Sequence, residues 1–433
     1  MEGAIMINSG DTRYVALGCA GLWLFLLAGG KAAGSGAGGG YYGLTVSSGG
    51  VLELNGSPYC GVGVNMVQPA MMDLLANNPA AVTQDFQELQ AHHIPFVRFP
   101  ALASWGSYSS QYSYLTSVYL NNPTKYFNSM NELCSIANQY NVGLIPSLAF
   151  TNWPNVAAAG SANSSAAYAA AQGLAPWRDP SSPVDQIWTK YVTEMVTRYE
   201  HNPAIWGWEF GNTMQMDLPN AAQVFPGYQS SWEYTHAQMW NVYQQFVNLV
   251  RQYDPYHIIE SGNNFPGSSS YHNMVDGTWT KDTPAQWVYM LQQNNAAFDM
   301  IGGKAYGSSA IADINAAVAV SQQERKPLFV NEFGVAGTQA ESQASFQEML
   351  NTLVADKVSL AAVWAFDETG QTLAAGDGSY FSITPTNNRS FMLGLIEAAN
   401  AADGNPVPDP AALGLFGVGT AFSMLLLKRW ETG

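Results

Sequence analysis

Charge is what this chain has least of. Only 11% of its residues are Asp, Glu, Lys or Arg, and the 16 bases face 32 acids, for a net charge of -16. So few cations exclude a nucleic-acid backbone or an anionic membrane surface as partner, and leave a neutral ligand as the better fit. Cysteine is nearly absent too. Of the three, Cys19 falls in the N-terminal apolar segment, which leaves Cys60 and Cys134 as two expected buried thiols; a disulfide between them is permitted but not required. The chain has no His-Glu-x-x-His, no Cys-x-x-Cys and no acidic calcium loop, and its six His are scattered. A catalytic metal is therefore not expected, and no cofactor is implied.

What is present is apolar and aromatic mass. With 433 residues and 47% hydrophobic content the chain can fill one large barrel or two ordinary domains. Its 13 Trp and 22 Tyr suit a protein that stacks rings on sugar faces, while much of that mass must be core.

Both ends carry the pattern of address labels. Arg13 precedes an apolar run from Tyr14 to about Ala28 and a string of small residues, the shape of a secretory signal, with an uncleaved anchor as the alternative. A Gly-rich linker at Gly34–Gly40 completes an N-terminal segment 1–40. At the other end an Ala/Asn/Pro linker, 399–408, leads to Pro408-Asp409-Pro410, an apolar stretch from Ala411 to Leu427, and the basic pair Lys428 and Arg429. This tail, 409–433, resembles the bacterial PEP-CTERM sorting signal, although Asp409 stands where that motif has Glu and Glu431 follows the basic pair. The resemblance implies an exosortase-type sorting enzyme as partner, export to the cell surface, and an anchor removed on the way. A permanent single-pass anchor is the other reading.

Between the linkers, short apolar runs alternate with amphipathic stretches eight times. The runs expected as strands are Gly61–Asn65, Pro95–Phe99, Val142–Leu148, Ala204–Phe210, His257–Ser261, Phe298–Gly303, Pro327–Val330 and Leu360–Trp364. Their spacing of roughly 43 residues suits an α/β fold of the (β/α)8 TIM-barrel type over residues 41–398. Helical periodicity agrees: Val184, Ile187, Trp188, Tyr191, Val192, Met195, Val196 and Tyr199 share one face, and the helix must stop before Pro203. Phe346, Met349, Leu350 and Leu353 repeat the pattern. Two insertions, Asn152–Pro183 and Thr213–Trp232, follow the C-terminal ends of strands, the rim on which barrels build their sites.

A set of ordered motifs falls at these strands or their edges. It comprises Leu54-Asn55-Gly56 leading to Gly61-Val62-Gly63-Val64-Asn65, then Phe96-Val97-Arg98-Phe99-Pro100, Arg198-Tyr199, and Asn202-Pro203-Ala204-Ile205-Trp206. Tyr306, Asn331-Glu332-Phe333-Gly334 and Trp364 complete it. From about Val51 to Ala398 the chain thereby resembles the glycoside hydrolases of clan A, in particular the cellulase and mannanase group of family five.

The resemblance implies hydrolysis of β-linked glucan or mannan with retention, which needs a nucleophilic carboxylate and an acid/base carboxyl roughly 5–5.5 Å apart. Glu332 takes the nucleophile position after strand seven, with Arg98 and Tyr306 in positions that resemble its supports. Asn212 matches the residue that holds the sugar 2-hydroxyl, and Trp364 the platform under the sugar. The pattern Trp208-Glu209-Phe210-Gly211-Asn212 then departs from the family, because Thr213 stands at the acid/base position where Glu is expected. A hydroxyl does not ionise near neutral pH, and general acid/base catalysis is worth about 10²–10⁴-fold. Lys304 is a second departure, since the family reads His-x-Tyr where this chain has Lys304-Ala305-Tyr306. Such a Lys could pair with a nearby carboxylate or be a solvated rim residue. Glu209 lies too deep to substitute and reads as structural; Asp217 and Glu368, on loops, are the other stand-ins. Three functions follow: a retaining hydrolase, impaired or assisted; a non-catalytic surface protein that binds β-linked oligo- or polysaccharide; or a barrel serving only as matter in an extracellular layer. A monomer is expected.

Overall fold

Eight parallel strands, buried along almost their whole length, form the centre of the computed structural model. The structure describes residues 42–67, 69–102, 109–149, 181, 183–212, 235–367 and 381–404. The proposed signal and sorting segments, both rim insertions apart from their margins, Thr213, Asp217 and Glu368 lie outside them.

The barrel strands are β4 (Gly61–Asn65), β5 (Phe96–Pro100), β6 (Gly143–Ala149), β7 (Gly207–Gly211), β8 (Ile258–Glu260), β9 (Ile301–Ala305), β10 (Leu328–Phe333) and β11 (Leu360–Val363). They pair in parallel in the order β8-β7-β6-β5-β4-β11-β10-β9, a nearly closed (β/α)8 barrel, and each overlaps a run expected from sequence. Strands covered on both faces are apolar without interruption, which is why these runs stand out. Between β8 and β9 no ladder is formed among the described residues, and the closure is made by one backbone hydrogen bond and by side chains. Asp299 donates its N–H to Ile259 O at 3.0 Å, while its carboxylate accepts from Ile259 N at 2.7 Å. Asn295 Oδ1 accepts from Gly302 N and from Ser261 Oγ, each at 3.0 Å.

Around the barrel run the connecting helices. Pro183–Tyr199 forms as expected and buries Trp188, Tyr191, Val192, Met195, Val196 and Tyr199; Gln339–Ala355 buries Phe346, Met349, Leu350 and Leu353. No helix among the described residues is long and apolar enough to cross a membrane. Cys134 is buried and Cys60 only half-buried, and no disulfide joins them.

One element was absent from the sequence reading. Before the barrel, β1 (Leu44–Val46), β2 (Leu52–Leu54) and β3 (Ser57–Pro58) make a small antiparallel sheet. Leu44, Leu52 and Leu54 pack on Phe96, Ile145, Trp206, Ile258, Met300, Phe329 and Leu360, which plugs the barrel at the N-terminal ends of its strands. The opposite end is left for polar residues.

Candidate active site

Side chains alternate along a strand, so every second residue of β5 points into the barrel. Phe96 packs in the apolar plug while Val97 and Phe99 join the outer helix layer. Arg98 therefore lies inside, near the C-terminal end. By the same rule Glu209 on β7, Glu260 on β8 and Lys304 on β9 are brought to this end, with Asn212 and Tyr306 just beyond their strands. On β10 the register shifts between Val330 and Glu332. Such irregularities re-aim side chains, and here Glu332 comes to oppose Lys304 directly.

Arg98, 2% exposed, is the hub. Nε donates to Glu209 Oε2, and Nη2 donates to Glu209 Oε1 at 2.8 Å and to Asn212 Oδ1 at 2.9 Å. Nη1 donates to Asn65 Oδ1 at 2.8 Å and to Glu332 Oε1 at 2.9 Å. All five N–H donors of the guanidinium are thus used. Glu332 receives two further contacts: Lys304 Nζ lies 2.7 Å from the same Oε1, and the Tyr306 hydroxyl donates to Oε2 at 3.2 Å. Lys304 Nζ also donates to Asn212 Oδ1. The Asn212 amide nitrogen, buried, has no hydrogen-bond partner among the described residues.

The protonation states follow from burial and charge. Burial, then the charge of Glu209, drives Glu260 well above the ordinary carboxylate range, so at neutral pH Glu260 holds a proton and is hydrogen-bonded to Glu209. Burial alone would raise Glu209 as well, but the Arg98 charge and these hydrogen bonds hold it below the usual range. Burial lowers the Lys304 ammonium, with the Glu332 carboxylate opposing the shift. Burial and the Glu332 charge keep the Tyr306 phenol protonated. With Glu260 neutral, two cations meet two carboxylates.

Of the residues singled out in the sequence, Arg98, Asn212, Tyr306 and Glu332 are brought within direct contact. Trp364 follows β11 immediately and is 5% exposed, packed into the main apolar cluster. Thr213 is the next residue in the chain after Asn212, outside the described residues. Glu260 and Asn65 were missed, and of the two readings of Lys304 the structure has the one that pairs it with a carboxylate. Glu260 ends an apolar strand with a single acid, but no motif surrounded it. A cavity of about 500 Å³ beside Arg325, Lys326 and Ser359 lies at the other end of the barrel and shares no residue with this cluster.

The chain matches no family model. Among curated proteins, mannan endo-1,4-beta-mannosidase A of Podospora anserina is 25% identical over 207 residues, 44% of this chain and 49% of that protein. The match thus spans about half the length of that relative. Among solved structures, the endo-1,4-beta-mannanase from Rhizomucor miehei superposes with a TM-score of 0.59 at 17% identity, over 83% of this chain and 99% of that one. An endo-beta-1,4-mannanase from Thermotoga petrophila gives 0.56 at 12% identity, over 82% and 79%. A mannosidase of glycoside hydrolase family 5 from Rhizomucor miehei gives 0.57 at 12%, over 84% and 98%. The shared property is the barrel fold.

Proposed function

We propose that this chain is a glycosidase of the family-five kind, acting with retention on a β-linked polysaccharide, with mannan ahead of glucan. The observation that carries the reading is the setting of Glu332: a carboxylate at the C-terminal end of a barrel strand, held on Oε1 by Arg98 at 2.9 Å. Its other oxygen, Oε2, meets only the Tyr306 hydroxyl at 3.2 Å among the described residues, and is the better placed to attack an anomeric carbon. Attack forms a covalent glycosyl ester that water then hydrolyses. Asn212 is set for the sugar 2-hydroxyl, because its oxygen is taken by Arg98 and Lys304 while its amide nitrogen awaits an acceptor. An unsatisfied buried donor costs about 1–3 kcal/mol, which a bound hydroxyl would return. Trp364, expected as the platform, is packed into the apolar cluster at 5% exposure, and Thr213 marks the missing acid/base carboxyl. The mannan preference draws on the mannan-directed names of the relatives. The terminal segments 1–40 and 409–433 belong, in this reading, to an exported, monomeric surface protein sorted by an exosortase-type enzyme; of the expected linker 399–408, residues 399–402 instead end the helix Phe391–Ala402, where the Asn400 amide donates to Val62 O at 3.0 Å.

A second reading is favoured by one observation. Lys304 and Arg98 both hold Glu332 Oε1, and a carboxylate neutralised by two cations is a weaker nucleophile, as suits a protein that binds sugar without cutting it. The two readings separate on dinitrophenyl β-mannoside and β-glucoside, whose leaving group needs little protonation. Dinitrophenolate release that Glu332→Gln abolishes is the expected result. Silence on both substrates from folded protein would leave the binding reading.

A further inference from the structure

Lys304 is unexplained by the proposed chemistry. Its side chain, 6% exposed, places an ammonium 2.7 Å from the nucleophile Oε1 and against Asn212 Oδ1. Two other described side chains reach Glu332, and neither can move a proton in its place. Arg98 also touches both Asn212 and Glu332, but a guanidinium does not release a proton in a protein. Tyr306 touches Glu332 through its hydroxyl, and both burial and the carboxylate charge oppose its ionisation. Lys304 thus bridges the nucleophile and the residue that precedes Thr213 in the chain.

We propose that Lys304 is the general acid and base of this site, standing in for the carboxyl that Thr213 replaces. The inference rests on the reading of Glu332 as nucleophile. In the first step Glu332 Oε2 forms a bond to the anomeric carbon while the bond from that carbon to the glycosidic oxygen breaks. The bonding pair stays on the leaving oxygen, which takes a proton from Lys304 Nζ; the sugar is left as an ester and Lys304 as a neutral amine. In the second step the amine takes a proton from water, the hydroxide oxygen bonds to the anomeric carbon, and the Glu332 carboxylate leaves with its pair. Both residues return to their starting charge.

The electrostatics couple the two events. Among the described residues, the charged groups that face Nζ are Glu332 from β10, Glu209 from β7 and Arg98 from β5, beside the neutral amide of Asn212. Burial and Arg98 both favour loss of the Lys304 proton, while Glu332 most strongly retains it. Esterification removes the Glu332 charge, so Lys304 becomes more acidic as the leaving oxygen becomes more basic. Hydrolysis restores the carboxylate and makes the amine a better base as water is attacked. The direct contact is shorter than the ~5–5.5 Å that separates the two carboxyls of a retaining site. A sugar entering between them must part the pair, which the four rotatable bonds of a lysine allow.

The test is a series of aryl β-mannosides and β-glucosides of decreasing leaving-group acidity, hydrolysed by the wild type, Lys304→Met and Lys304→Arg, with folding checked by thermal melts. The wild-type rate is expected to depend shallowly on the leaving group. In both variants the dependence should be steep: about 10²–10⁴-fold loss on phenyl glycosides, and on dinitrophenyl glycosides a burst followed by slow turnover that azide accelerates. Arg keeps the charge and the pairing but cannot release the proton. A Lys304→Arg variant as shallow as the wild type would reduce Lys304 to a charge partner. A wild type as steep as Lys304→Met would show that it donates no proton, with Glu332 still a live nucleophile. Silence of the folded wild type on the whole series would overturn the nucleophile reading together with this one.

Discussion

Arg98 and Glu260 show opposite solutions to one problem, a charge taken out of water at the barrel centre. Arg98 keeps its charge because five acceptors surround it; breaking such a buried pair typically costs about 3–5 kcal/mol. Glu260, beside Glu209, gives its charge up. Its folded-state pKa lies above that of the unfolded chain, so the stability it contributes is complete at low pH and is lost as pH rises through the folded pKa. The loss runs at up to ~1.4 kcal/mol per pH unit. Glu260→Gln, which mimics the protonated acid, is expected to flatten the alkaline side of the stability curve in urea melts from about pH 5 to about pH 9. Parallel decline of variant and wild type would show Glu260 ionised in the native protein. At this scale Glu332, Arg98, Tyr306 and Asn212 were legible because each sits in a recognisable run. Glu260 was not, and Lys304 was left between a carboxylate pair and a solvated rim residue, because their meaning depends on what the barrel places opposite them, Glu209 and Glu332 respectively.

The elements were legible where burial on both faces writes a continuous apolar run, and their edges were blurred where side chains replace the ladder. The run at Ala204 was expected to open a strand, but Ile205 makes only an isolated bridge to Leu144 and β7 starts at Gly207. The run at Phe298 opens late because the Asp299 carboxylate takes the Ile259 N–H. The three-stranded plug was missed because its strands are two or three residues long. Its signal was present in Asn55-Gly56, both at positive φ, the favoured pair for a two-residue hairpin turn. The plug also explains Gly143, where a Cβ would lie 2.0 Å from the Trp206 ring. Gly143→Ala is expected to cost about 1–3 kcal/mol through overpacking. Trp206→Leu should recover part of that cost, giving a coupling of about 0.5–3 kcal/mol in a double-mutant cycle. Additive losses would mean that the ring moves aside freely.

At the scale of the molecule, the barrel has one joint unlike the other seven. Between β8 and β9 no ladder is formed among the described residues, and the neighbours are tied by Asp299 and by Asn295, which sits between Ser261 and Gly302. Asn295 is wholly buried, its Nδ2 donating to Leu291 O at 2.9 Å and reaching Gly302 O at 3.5 Å. A ladder spreads its bonds over many residues, whereas this joint depends on two side chains and one backbone bond. It is the natural place for the barrel to open first, since local opening follows the weakest contiguous set of contacts. The joint also borders the site, because β9 positions Lys304 and β8 positions Glu260. Asn295→Leu leaves Gly302 N and Ser261 Oγ without their acceptor, at about 1–3 kcal/mol for each buried group. The expected outcome is faster hydrogen exchange at Gly302 and along β8 and β9, while β4 to β6 exchange only through global unfolding. Uniform acceleration over all eight strands would show that the barrel opens as a unit and that the joint is as strong as the ladders around it.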